Sequence, residues 1–211
     1  MTAINCLVTS DAVHLFTDAG QADPASMRLQ AISSKVALLP EYNAVFAANG
    51  MTFVEQLFRS VIAQSRFDDF DALVSAFPEV IKRAIESGTH YGMPAVWPNC
   101  EIILAGWSPR LDVPAAFVFA SYDKFIEKRV KQFIRPSISG LAFDPQDIER
   151  SGFALMCKQR DTHFPVEDPN EGGFIKSKSM RRVVHGFCQH TVVTRDAIST
   201  RLLERWLDAP E

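Results

Sequence analysis

Apolar residues recur along this chain in two rhythms, one of short runs bounded by turn formers and one with a spacing of about three to four positions. At the start, Ile4-Asn5-Cys6-Leu7-Val8 and the run from Val13 to Asp18 predict two strands joined by a turn at Ser10-Asp11. Val36–Leu39 and Ala44–Ala48 flank Pro40-Glu41-Tyr42-Asn43 and predict a second hairpin, since each run is too short and too apolar for a surface helix. The rhythm then changes. Thr52 and Glu55 have capping-box spacing, and Phe53, Leu57, Phe58, Val61 and Ile62 follow at helical intervals, which predicts a helix from Thr52 to Gln64. A second helix begins near Asp69 or Asp71, with Leu73, Val74, Phe77, Val80, Ile81, Ala84 and Ile85 on one face. Pro78 marks a kink in it, and Ser87-Gly88 a stop.

Glu101–Trp107 and Ala115–Ser121 read as strands around Pro109–Pro114. A third helix is expected over Asp147–Gln159, with Ile148, Phe153, Leu155 and Met156 inward. Strands return at Gly186–Thr194 and Ala197–Leu203, with a partly helical run through Arg201–Trp206 as the alternative for the last. Three stretches rich in Gly, Pro and polar residues are expected as loops: Ala19–Ser34, His90–Asn99 and Arg160–Phe174. Strands, then helices, then strands and a helix again fit an α+β chain in which two packed sheets are flanked by helices. Residues 1–211 are expected to form one domain.

Composition narrows the function. The chain has 211 residues, 47% hydrophobic and 22% charged, and a net charge of −3, so no basic field points to nucleic acid. No apolar stretch approaches the roughly 18 residues of a membrane span, and no targeting segment stands at the start, so a cytoplasmic protein is expected. Cys6, Cys100, Cys157 and Cys188 lie far apart, mostly in apolar runs, which suits reduced thiols. The five histidines show no ligand spacing, and neither metal nor cofactor is expected.

The candidate chemistry lies at the beginning. Thr2 follows Met1, and an N-terminal threonine can supply a hydroxyl nucleophile and, through its own α-amine, a general base with a pKa near 7.7–8.0. Asp18 closes the second strand and Lys35 opens the third. An ion pair between them beside Thr2 would ease loss of the threonine proton.

Residues 2–50 resemble the start of the N-terminal-nucleophile hydrolases of the proteasome β-subunit and HslV type, whose catalytic set is Thr, Asp and Lys in this order. The likeness returns at Gly186–Ala197. It implies a four-layer αββα sandwich, catalytic Thr2, Asp18 and Lys35, and an oxyanion site at backbone N–H groups near Ala47, Asn49 and Gly50. It also makes Ser137 or Ser139, beside the Gly140 turn, a further candidate. Two positions depart from the pattern, where Ala12 and Ala47 stand in place of glycine; the second leaves an N–H but narrows the space beside it. The resemblance implies a threonine-type peptidase acting on a peptide or amide, confined in a homo-oligomer such as a ring. The alternatives are a silent structural or assembly subunit and a small-amide amidase.

Overall fold

The computed structural model describes residues 2–22, 29–50, 53–93, 95, 97, 99–165 and 180–208. In chain order the strands are β1 (Ile4–Val8), β2 (Val13–Thr17), β3 (Gly20–Ala22), β4 (Leu29–Ile32), β5 (Val36–Leu39) and β6 (Ala44–Asn49). Helices α1 (Val54–Ala63) and α2 (Phe70–His90) follow, then β7 (Glu101–Ser108), β8 (Val113–Ala120), β9 (Lys128–Val130) and β10 (Gln132–Arg135). The chain continues through α3 (Ile148–Asp161), β11 (Phe164–Pro165), β12 (Met180–Arg181), β13 (Phe187–Val193) and β14 (Ile198–Arg205).

The strands build two five-stranded sheets, ordered β10-β1-β2-β13-β14 and β5-β6-β7-β8-β9, and two ribbons, β3-β4 and β11-β12. Period-two alternation decides which side chains meet between the large sheets. Ile4, Cys6, Val13 and Leu15 from one sheet pack against Val45, Ala47, Ile103, Ala105, Ala116 and Val118 from the other. The opposite parity of the second sheet, including Phe46, Leu104 and Phe119, receives Phe58, Leu73, Phe77 and Ile81 of α1 and α2. Asp69 caps α2 by accepting from Ala72 N–H at 2.8 Å. On the outer face of the first sheet, Phe16 and Cys188 pack with Leu155 and Met156 of α3. Gly152 makes that contact possible, because a Cβ there would overlap the Phe16 ring.

The expected four-layer αββα sandwich is corrected by this architecture. Among the described residues the molecule is β-rich with only three α-helices, and the sheet that carries β1 is backed by α3 alone. Part of the physical reason is a segment that pairs rather than coils. The Ala19–Ser34 stretch, expected as a loop, contributes the β3-β4 ribbon. The segment 198–205, expected as a strand through Leu203 with a partly helical end as the alternative, pairs with β13 as β14, with one register shift opposite Cys188 and Gln189. Smaller corrections concern ends: α2 runs through the expected stop to His90, and α3 to Asp161. Thr52 of the capping box, and most of the expected 160–174 loop, lie outside the described residues.

Candidate functional site

Strand register brings the three sequence candidates to one end of the space between the sheets. Thr2 precedes β1, Asp18 follows β2, and Ile4 opposes Thr17, so the ends of this hairpin stand side by side. Lys35 enters from the start of β5 in the other sheet. Its Nζ donates to Asp18 Oδ1 at 2.7 Å and to Thr2 Oγ1 at 3.0 Å. Thr2 and Lys35 are each 8% exposed and Asp18 is fully buried. Burial pulls the Lys35 ammonium below the ordinary lysine range, opposed by the charge and hydrogen bond of Asp18.

A buried carboxylate needs more than one donor. Asp18 Oδ1 also accepts from Ala3 N–H at 3.0 Å, and Oδ2 accepts from Gly20 N–H at 3.2 Å and His185 N–H at 3.1 Å. These bonds fix the carboxylate, which in turn aims Lys35 at Thr2. Further along β1, Asn5 is held by the fully buried Gln159 of α3: Asn5 Nδ2 donates to Gln159 Oε1 at 2.6 Å, and Gln159 Nε2 donates back to Asn5 Oδ1 at 2.9 Å and to Pro136 O at 2.7 Å. The helix thereby ties β1 to the turn after β10.

Pairing of β5 with β6 starts at Val36 and Ala47, so β6 continues through Ala48 and Asn49 with β7 on one side only. Among the described residues, N–H groups on the vacated side have no ladder partner there. Ala47 is fully buried in the layer between the sheets. Asn49 is also buried, and its Nδ2 donates to Glu101 Oε2 at 3.4 Å. Gly50 is exposed with φ of 130°, a backbone region that favours glycine. Ser137 and Ser139 are exposed in the turn after β10, and no hydrogen bond among the described residues joins either to Thr2, Asp18 or Lys35.

Several residues of this end were missed in the sequence reading. Glu101, only 3% exposed, accepts from Arg135 Nε at 2.8 Å and from Tyr122 Oη at 3.0 Å, linking the two sheets beside the site. A carboxylate at the head of an apolar strand was the available signal. His185 could not have been found, because it acts through its backbone. Among the described residues no group of three or more His, Cys, Asp or Glu is arranged to hold a metal, and no helix is long and apolar enough to cross a membrane. Cys6, Cys100 and Cys188 are free and buried, and Cys157 is free and half-buried.

Comparison with known proteins limits what the sequence likeness can carry. No family model matches this chain, and no curated protein matches it. Among solved structures 448 chains match, so the likeness is not to one accidental neighbour. One is the Anbu (Gly-1) mutant from Hyphomicrobium sp. strain MC1, with a TM-score of 0.61 and 11% sequence identity, covering 97% of this chain and 87% of that chain. At this identity the likeness concerns the fold alone. The expected membership of the proteasome β-subunit and HslV family is therefore corrected: the chain resembles Anbu in fold and is not assigned to that family.

Proposed function

We propose that this protein is an amide-bond hydrolase whose nucleophile is the Thr2 hydroxyl. The observation that carries this reading is Lys35 Nζ placed 3.0 Å from Thr2 Oγ1 and 2.7 Å from Asp18 Oδ1, all three residues being buried. With Met1 removed, the free Thr2 amine takes the proton from Oγ1, and the alkoxide attacks the carbonyl carbon of the amide. Lys35 keeps the local potential positive, and N–H groups from Ala47 to Gly50 stabilise the oxyanion. When the tetrahedral adduct collapses, the C–N bond breaks, the amine leaves with the proton held by the Thr2 amine, and an ester to Oγ1 remains. Water, deprotonated by the same amine, releases the acid and restores Oγ1–H. The substrate is a peptide or a smaller amide, and the working form is a homo-oligomer, which light scattering tests.

Intact mass on natively produced protein is expected to show loss of Met1. An epoxyketone, which forms a ring with both hydroxyl and amine of one residue, is then expected to modify Thr2, and Thr2→Ala to abolish the adduct. Peptide mapping that places a general serine reagent on Ser139 while processed Thr2 stays unlabelled would replace this chemistry with another. A folded protein inert to both reagents is a silent structural subunit, the reading that Ala47 favours by its methyl group in the layer between the sheets.

A further inference from the structure

We infer that the segment after β14 clamps the candidate site, with Arg160 and Asp208 as positioning residues that hold the 184–186 turn against Asp18. The functional meaning of this clamp rests on Thr2 being the nucleophile, whereas its geometry does not. Asp208 Oδ1 and Oδ2 accept from Arg160 Nη2 and Nη1, each at 2.8 Å, a two-pronged pairing that fixes direction as well as distance. The same Arg160 Nη1 donates to Val184 O at 3.0 Å, and its guanidinium lies 4.7 Å from the centroid of the Trp206 ring. Asp208 Oδ2 also accepts from Gly186 N–H at 2.7 Å, while Trp206 N–H donates to Gly186 O at 2.9 Å. Both backbone polar groups of Gly186 are thus engaged by residues that follow β14.

Gly186 has φ of 84°, a conformation side chains rarely tolerate, and a Cβ there would also crowd Ile32 and Ala19. Its neighbour His185 points its N–H at Asp18 Oδ2, 3.1 Å away, and accepts from Ala19 N–H through its carbonyl at 3.0 Å. Hydrogen bonds therefore lead from Asp208 to Gly186 and, across the His185–Gly186 peptide bond, from His185 to Asp18, and from there through Lys35 to Thr2. The Arg160–Asp208 pair is only 15% and 12% exposed, so solvent does little to replace it. Without the pair the turn keeps its strained backbone but loses the acceptor that holds it in place. His185 N–H then drifts from Asp18, and Lys35 loses its aim at Thr2.

The test uses isotope-labelled full-length protein and the epoxyketone as probe. Asp208→Ala and Arg160→Leu are expected to move the His185 amide proton resonance upfield and to speed its hydrogen exchange about tenfold. The Val192 amide, in the middle of β13, is expected to stay unchanged. Epoxyketone labelling of Thr2 is expected to slow about tenfold in both variants and to recover in part in Arg160→Lys, which keeps one charged donor. A His185 signal that stays put, or that moves only together with Val192, overturns the clamp. If Asp208→Ala does not fold, the isosteric Asp208→Asn decides by the same resonance. Failure of the probe to label wild-type Thr2 removes the nucleophile reading, while the His185 signal still judges the clamp.

Discussion

At Thr2, Lys35 and Asp18 a single ammonium serves two oxygens, and the two bonds have different consequences when broken. The sequence reading expects Lys35→Ala and Asp18→Ala to cost activity with little effect on folding, because both residues serve the site more than the core. Burial of Asp18 and three N–H donors on its carboxylate change that expectation. Removing one member of a buried pair leaves the other uncompensated and costs about 3–5 kcal/mol. Lys35→Ala falls at the lower end, since Asp18 retains its N–H donors, and Asp18→Ala falls higher, since it strands those donors and the ammonium together. Both variants are expected to reduce epoxyketone labelling of Thr2 by about 100-fold or more. Urea unfolding followed in parallel separates the two effects. A variant that unfolds normally and labels at the wild-type rate would dismiss the assigned roles. The spacing of Thr2, Asp18 and Lys35 was legible in the sequence because each sits at the end of a strongly apolar run. The clamp through His185 was not, because a backbone N–H has no residue signature.

Elements meet here through a few demanding contacts, and α3 on β2 is the sharpest. Gly152 lies so close to Phe16 that any side chain must displace the ring, which itself stacks on His190 with centroids 4.2 Å apart. Gly152→Ala is expected to destabilise the protein by about 1–3 kcal/mol through overpacking despite its better helix propensity, as read from thermal unfolding. The same interface carries a proton-sensitive pair. His190 Nδ1 lies 3.3 Å from Glu149 Oε2, and His190 Nε2 lies 3.2 Å from His14 Nδ1. Nδ1–H of His190 donates to the carboxylate, so its Nε2 accepts from Nδ1–H of His14. Burial holds both imidazoles down to about 4, aided at His14 by His190 and opposed there by Asp11. Arg201, paired with Glu149, offers no help to a second positive charge. An unfolded chain takes up these protons near pH 6.5, so between about 6.5 and 4 the unfolded state binds more of them. Stability is therefore fully present above about 6.5 and declines as the pH falls toward 4, by about 1–2 kcal/mol after allowing for partial solvation. Urea midpoints at pH 7 and 4.5 check this, and a His14→Gln, His190→Gln double variant is expected to flatten the difference.

On the scale of the molecule, two ties span the sheets at opposite ends. Away from the site, Asn43 Nδ2 donates to Thr194 O at 2.9 Å and Arg195 O at 2.7 Å, joining the β5-β6 turn to the β13-β14 turn. At the site end, Arg135 of β10 reaches Glu101 of β7. Arg135→Leu leaves the buried Glu101 carboxylate with Tyr122 and Asn49 alone, and is expected to cost about 1–3 kcal/mol in thermal unfolding, less than a fully buried pair because Arg135 is half-exposed. Alternation and helical spacing by themselves determined the strand hairpins, the helices from near Val54 and Phe70, and α3, because those signals are local and strong in apolar runs. The candidate trio is proposed from positions at the ends of such runs together with the resemblance of residues 2–50. Pairing decided the rest. Gly20–Ala22 and Leu29–Ile32 carry weak local preference, so their strand form follows from pairing with each other, whereas the strand expected at 197–203 extends to Arg205 by pairing with β13. Register alone set Glu101 against Arg135, and packing alone made Gly152 obligatory and turned Arg160, Asp208 and a backbone N–H into supports of Asp18, since none of these contacts lies between neighbours in the chain.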